Sequence, residues 1–151
     1  MATATADVGI SEKQGKPGTH RIQCVVVTPE RTLFDQLVDF VALPLYDGEL
    51  GVAPGRTPLI GRLGYGELRT KVGGQTHRYF VDGGFVQVRD DVVTVLTNRA
   101  TPAGQIDPVA AAGELEAAQA RKPATDFERD EKAKAIARAR AMVRVGNSAR
   151  R

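Results

Sequence analysis

The sequence predicts a β-sandwich followed by a C-terminal antiparallel pair of helices. Three observations carry that reading. From Arg21 to Thr97, short β-rich runs alternate with Gly, Pro and Asp turn signals, and no helical stretch intervenes. After Pro102 the composition shifts to Ala, Glu, Gln, Lys and Arg, all good helix formers. A Lys122-Pro123 break divides this second region, and so short a link between two helices implies an antiparallel hairpin.

The strands follow in order. Arg21–Val27 is a β-branched run ended by Thr28-Pro29, since Pro cannot donate to a ladder and restricts the residue before it. Leu37–Leu45 reads as one strand, with Val41, Leu43 and Leu45 on one face and Val38, Phe40 and Ala42 on the other. Pro44 in it argues for an edge or a bulge. Gly64–Val72 and Thr76–Val81 flank Gly73-Gly74, a two-residue hairpin signal. Gly83-Gly84 interrupts a strand that resumes as Phe85–Arg89, as expected for a bulge or a close backbone approach. Asp90-Asp91 turns the chain into Val92–Thr97.

In the second region, Asp107 is placed to cap a helix whose first residue is Pro108, where a missing N–H costs nothing. That helix is expected over Asp107–Arg121, with Gly113 weakening its middle by about 1 kcal/mol relative to Ala. Thr125-Asp126-Phe127-Glu128 has the T-x-x-E form of a capping box and opens a second helix to about Val145, with Gly146-Asn147 as its stop. The apolar face of the pair is thin. It holds Val109, Leu115, Phe127, Ile136, Met142, Val143 and alanines. Small side chains bury little area at about 25 cal/mol per Å², so docking onto the sandwich is expected to be marginal. Two arrangements of similar free energy are then open to the hairpin, and so is a fixed cover over one sheet. The organisation expected is an arm at 1–20, a sandwich at 21–102, a helical hairpin at 103–146 and a basic tail at 147–151.

Composition excludes several classes. Hydrophobic residues make up 42% and charged residues 26%, the balance of a soluble globular protein. No apolar run reaches the roughly 18 residues needed to span a bilayer. Met1 to Gly18 lacks the apolar centre of a signal peptide and is too polar to offset its ordering entropy, so a disordered arm is expected there. Cys24 is the single cysteine, sits in an apolar run, and is expected to be a buried, inert strand residue. His20 and His77 have no Cys or His at metal-ligand spacing. There is no G-x-x-x-x-G-K-[ST] loop and no acid–base or nucleophile set, so neither nucleotide hydrolysis nor a small β-barrel enzyme is expected, and no cofactor.

The net charge of +3 is unevenly placed. Arg129 to Arg151 holds eight basic and two acidic residues, a balance of +6, so the remaining 128 residues carry −3. An acidic partner for the C-terminus follows. A solvated helix face accounts for any one of these charges alone. A basic-tailed nucleic-acid-binding β-domain is the alternative, weakened by the acidic balance of the sandwich and the 5% aromatic content.

The most specific stretch is Asp47-Gly48-Glu49-Leu50-Gly51-Val52-Ala53-Pro54-Gly55-Arg56-Thr57-Pro58-Leu59. Its glycines permit tight backbone, Pro54-Gly55 suits a type II turn, and Asp47, Glu49 and Arg56 are expected to project from a rigid loop. The segment is similar to the G-E-L-G-hydrophobic-x-P-G-H-x-P-L signature of the epsilon subunits of F-type ATP synthases. Val25-Val26-Val27-Thr28-Pro29-Glu30 with Leu33-Phe34, and Tyr79–Val88 followed by Val92–Leu96, resemble further stretches of that family in the right order. The match runs over residues 22–100, and the hairpin extends it to about 145.

The resemblance implies a non-catalytic central-stalk subunit, peripheral to the cytoplasmic face of a bacterial inner membrane. Its sandwich would bind the gamma subunit and the ring of c subunits, with Asp47, Glu49 and Arg56 at the ring. Arg56 replaces the usual His, so that position keeps its charge near neutral pH. The hairpin of many bacterial members extends into the head of alpha and beta subunits and blocks ATP hydrolysis. Lys132, Lys134, Arg138, Arg140 and Arg144 would then meet an acidic segment of beta. Some members also bind ATP through an Ile/Leu-Asp-x-x-Arg-Ala motif and second-helix arginines. Here the motif reads Ile106-Asp107-Pro108-Val109-Ala110-Ala111. Asp107, Arg140 and Arg144 remain, but Ala110 stands where the arginine would pair with phosphate, so weak or absent ATP binding is expected.

Overall fold

A computed structural model describes residues 20–150. The arm expected at 1–20 lies outside the described residues except for His20. Eight strands come first: β1 Ile22–Val27, β2 Thr32–Val38, β3 Phe40–Leu45, β4 Gly48–Val52, β5 Leu59–Val72, β6 Gln75–Arg89, β7 Val92–Leu96 and β8 Ala100–Pro102. A 3-10 turn at Ala103–Gln105 leads to helices α1 Pro108–Gln119 and α2 Asp126–Ser148. The strands are hydrogen-bonded in the order β2-β1-β7-β6-β5-β3-β4, with β8 also on β6.

This continuous sheet makes a sandwich because β5 and β6 are long enough to serve both layers. The β5 segment Leu59–Leu63 pairs with Gly84–Val88 of β6, beside β7, β1 and β2. The other segment, Arg69–Lys71, pairs with Thr76–Arg78 and lies beside β3 and β4. Between the layers lie Ile22, Cys24, Val26, Leu43, Leu68, Val81, Val86 and Val93, all fully or almost fully buried. The bend falls at Gly83 and Gly84, whose φ angles are +67° and +112°. A Cβ on Gly84 would stand 1.9 Å from the carbonyl oxygen of Leu96, so this is the close backbone approach that the glycine pair announces.

The turn chemistry acts where expected. Gly73 and Gly74, both at positive φ, close the β5–β6 hairpin with Val72 opposite Gln75. Asp90 and Asp91 adopt the left-handed conformation between β6 and β7, a region aspartate tolerates better than most residues. Pro54-Gly55 forms the turn before β5, and the Gly55 N–H donates to Asp91 Oδ1 at 2.7 Å.

Several expectations are corrected. Leu37–Leu45 is two strands, because Asp39 turns a corner between the layers. Val38 pairs with Ile22 of β1, whereas Phe40 pairs with Lys71 of β5. Asp39 holds that corner: its N–H donates to the Lys71 carbonyl at 2.7 Å, and its carboxylate accepts the Gly73 N–H at 2.8 Å and pairs with Arg21 at 3.2 Å. Pro44 sits where the β3–β5 register shifts, the bulge its presence implies. The first half of the signature stretch is a strand, since Gly48–Val52 pairs along β3. β5 begins at Leu59, β6 runs unbroken through its glycines, and β8 is an added strand.

In the hairpin, Asp107 caps α1 by accepting the Val109 N–H at 3.0 Å. Thr125 caps α2 by accepting the Glu128 N–H, while Glu128 Oε1 accepts the Ala124 N–H at 2.7 Å. The expected stop at Gly146-Asn147 is overridden, and α2 continues to Ser148. Gly146 is needed there for a different reason. A Cβ would lie 2.9 Å from Ile106 Cγ2, so glycine lets the helix pass the chain that precedes α1. Val109 and Phe127, expected on the apolar face, are 80% and 72% exposed.

Candidate functional site

Two regions carry the predicted functional residues. The first surrounds β4. Tyr46 and Asp47 form the tight turn between β3 and β4, because Leu45 pairs with Gly48. Asp47 is exposed and makes no ion pair among the described residues. Glu49 lies on β4 and is held in place. Both its oxygens accept from the Arg69 guanidinium, at 3.0 and 3.1 Å. Arg69 also reaches Glu67 at 3.2 Å, and Glu67 binds Arg78 at 2.9 Å. The chain of charges has a clear cause. Register places Arg69 directly opposite Arg78, and two like charges there would repel without the carboxylates between them. The Glu49 hydrogen bond raises the Arg69 pKa despite partial burial.

Arg56 lies apart from this group. It is exposed in the connection between β4 and β5, whose Gly55 is tied to the Asp91 turn. Strand β4 separates it from Asp47, and a strand rises about 3.3 Å per residue. The three residues expected to act together therefore stand at opposite ends of one strand.

The second region is the contact between α2 and the sandwich. Alternation along β6 turns Tyr79 and Val81 toward the sandwich core and Phe80 and Asp82 outward. Onto this outer face α2 lays Ala141 and Val145, with Met142 at the margin, and Ala103 and Ile106 complete the small cluster around Phe80. Asp82 is the one buried charged residue among the described residues. Its Oδ1 accepts from Arg138 Nε at 2.9 Å, and its Oδ2 lies 3.9 Å from Arg99 Nη2. The Arg138 guanidinium stands 5.1 Å from the ring centroid of Tyr65, the residue opposite Asp82 in register. Burial opposes the charge on Arg138, but Asp82 and then Tyr65 outweigh it and its pKa is raised.

The five basic residues of α2 do not form one surface. Arg138 is turned into the sandwich. Lys132 donates to the Arg121 carbonyl at 2.9 Å and ties α2 to the end of α1. Lys134 pairs with Glu131 at 3.6 Å. Arg140 and Arg144, four residues apart, are both exposed on one side of the helix. Arg144 borders a cleft with Glu49, Tyr65, Glu67 and Arg69. No hydrogen bond or ion pair among the described residues joins Asp107 to Arg140 or Arg144.

Sequence reasoning missed Asp82, Tyr65, Arg99 and the Glu67–Arg69–Arg78 set. A signal for Asp82 was present: it follows Tyr79-Phe80-Val81 in a strand, and an acid so placed needs a cation. A further unassigned feature is the outer apolar face of the other layer. There Phe85 and Leu96 pair across strands and Ile60 lies close by, exposed by 57%, 51% and 77%. Tyr46 adjoins them beneath the Arg62 guanidinium, 4.5 Å from its ring centroid.

Comparison with known proteins fits this geometry. The family model described as the beta-sandwich domain of the ATP synthase Delta/Epsilon chain matches residues 21–103. The ATP synthase epsilon chain of Rhodopirellula baltica is 54% identical over 124 residues, covering 82% of this chain and 97% of that relative. The epsilon chain of Nitratidesulfovibrio vulgaris (strain Miyazaki F) is 45% identical over 82 residues, 54% of this chain and 61% of the relative. A chain of the Euglena gracilis mitochondrial ATP synthase shares the fold with TM-score 0.76 and 24% identity, over 91% of this chain and 85% of that one. A chain of the Tetrahymena thermophila mitochondrial ATP synthase central stalk and c-ring gives TM-score 0.67 at 12% identity, over 83% and 96%.

Proposed function

The chain belongs to the ATP synthase delta/epsilon family as an epsilon-type subunit of the central stalk, and from that premise we propose how it works. The observation that carries the reading is the family match over the sandwich, joined to a relative matched over 97% of its length. The subunit performs no chemistry itself. It transmits rotation between the c-ring and the head, where ADP and phosphate become ATP. It is peripheral to the membrane, on the cytoplasmic side in a bacterium, and no helix among the described residues is long and apolar enough to cross a bilayer.

The partners divide between the faces of the sandwich. The gamma subunit takes the apolar face of Ile60, Phe85 and Leu96, since contiguous exposed apolar area marks a protein contact. The polar loops of the c-ring meet the β3–β4 end, where Asp47 is exposed and Glu49 is oriented by Arg69. Arg56, at the far end of β4, contributes to a separate contact. Native purification tests the assignment: the chain travels with the alpha, beta and gamma subunits, and its absence from that complex overturns the reading.

The hairpin acts as a brake on hydrolysis when it leaves the sandwich. Arg140 and Arg144 are already exposed, and Lys132, Lys134 and Arg138 join them against the acidic segment of beta. Truncation after Ala103 raises ATP hydrolysis by the assembled complex and leaves coupling intact; unchanged hydrolysis would mean that the hairpin is not a brake. Asp107 serves as a helix cap, and with Ala110 in the arginine position the subunit holds ATP weakly or not at all. Calorimetry on the isolated chain checks this, and micromolar retention of ATP would refute it.

A further inference from the structure

Asp82 is the buried charge for which that account has no use. Burying a carboxylate is costly unless a cation meets it, and here two cations from different parts of the chain do. Arg99 comes from the connection between β7 and β8 and belongs to the sandwich. Arg138 comes from α2 and belongs to the hairpin. The rest of the contact is small: Ala141, Val145 and Met142 of α2 lie on Phe80, Tyr65, Ala103 and Ile106, Arg99 Nη2 donates to Met142 Sδ at 3.5 Å, and Arg150 Nη2 donates to the Ile106 carbonyl at 3.2 Å.

The geometry points to a charge latch: Asp82 holds the helical hairpin on the sandwich through Arg138, and an acidic partner that competes for Arg138 favours the departure of α2. Removing one member of a buried pair normally strands the other. Here Arg99 stays beside Asp82 when α2 departs, and departure also opens the carboxylate to water. The latch therefore releases without leaving an unpaired buried charge, which a two-state element requires. Arg138 is the group that both states need. Docked, it satisfies Asp82 and covers the Tyr65 ring; released, it is a free cation beside Lys134. The regulatory consequence rests on the stalk reading above, while the latch itself does not.

Amide exchange on the isolated full-length chain tests it without any partner subunit, so the latch and the stalk assignment can fail separately. At about 0.1 M salt, Asp82→Asn and Arg138→Gln should each speed exchange over Ile136–Val145, and the parent chain should approach them at about 1 M. The expected acceleration is about ten- to hundredfold, the range for one hydrogen bond to a charged group. Exchange in β1 and β7 stays unchanged. The double variant exchanges no faster than the faster single one, because the two residues act as one pair. Arg140→Gln on the exposed side of α2 leaves exchange as it was. If Asp82→Asn also loosens β1 and β7, Arg138→Gln alone decides. Parent-like exchange in Arg138→Gln, additive single effects, or equal acceleration by Arg140→Gln would each overturn the latch.

Discussion

The sandwich takes up about twice as much chain as the hairpin, and the two bury very different side chains. Between the sheet layers lie Ile22, Leu43, Leu68, Val81 and Val93, each enclosed by strands on both sides. In the hairpin, α1 buries only Ala111 and Ala118, and α2 only Ala139, Ala141, Val145 and Gly146. A buried Leu or Val contributes about 1.5–3 kcal/mol and an alanine methyl far less. The sandwich thus has a core of its own, while the hairpin is a docked module in which one charge pair carries weight comparable to its apolar contact.

Two glycines make that contrast measurable. Gly84 faces backbone, the Leu96 carbonyl 1.9 Å from an added Cβ, and its φ of +112° strains any other residue. Gly84→Ala is expected to cost the whole domain about 4 kcal/mol, combining strain and overpacking. Gly146 faces the branch methyl of the buried Ile106 at 2.9 Å and the Pro108 ring at 3.2 Å, side chains with little freedom to give, although the substitution improves helix propensity. Gly146→Ala is expected to cost about 1–2 kcal/mol, overpacking partly offset by helix propensity, with its effect confined to exchange in α2. Urea unfolding of both variants checks the pair, and equal losses would mean that the hairpin is part of the core.

The same two glycines show what the sequence discloses. Gly73-Gly74, Asp90-Asp91 and Pro54-Gly55 were legible as turns because they answer a local backbone demand. Gly146 was misread as a helix stop because its reason is a neighbour 40 residues away, Ile106. The corner at Asp39 was hidden likewise. Val38 and Phe40 look like one strand until their partners, Ile22 and Lys71, prove to lie in different layers. At the candidate site, five basic residues on α2 were visible as a cluster. That Arg138 is spent on Asp82, and that Arg56 lies apart from Glu49, depends on pairings that no local pattern encodes.

A second effect separates the regions by pH. Burial, with a smaller contribution from Asp35, pushes the Cys24 thiol from its ordinary 9.0 up to about 12. In the unfolded chain the thiol ionises above pH 9, while in the sandwich it keeps its proton. The unfolded state then binds fewer protons, so stability falls as pH rises across that window, by about 1.4 kcal/mol per unit. At about pH 10.5 the parent chain should have lost about 2 kcal/mol more than Cys24→Ala, each compared with its own value near neutrality. Tyr79, raised by burial and then by Cys24, loses only the smaller of those causes in the variant, so its part in the alkaline loss is largely shared by both chains. An identical alkaline loss in the two would place Cys24 outside the core. The hairpin holds no cysteine, so its exchange should not follow this difference.

The smallest expected effect distinguishes a stabilising charge from a contacting one. Glu49 is about half exposed, and its Arg69 partner is also held by Glu67. Glu49→Gln removes one member of a surface network that keeps its remaining pairs, so the stability change should stay below about 1 kcal/mol. Asp47 and Glu49 are nevertheless the carboxylates offered at the β3–β4 end, one without an ion pair among the described residues and one oriented by Arg69. If that end meets the c-ring, Glu49→Gln should weaken retention of the chain on the assembled membrane complex during salt washing, while its urea midpoint barely moves. Arg69→Gln, which leaves Glu49 charged but unoriented, should fall between Glu49→Gln and the parent chain. Retention that follows the stability ranking, with no separate loss for Glu49→Gln, would make the Glu49–Arg69 pair a structural feature of the sheet and move the ring contact elsewhere on the sandwich.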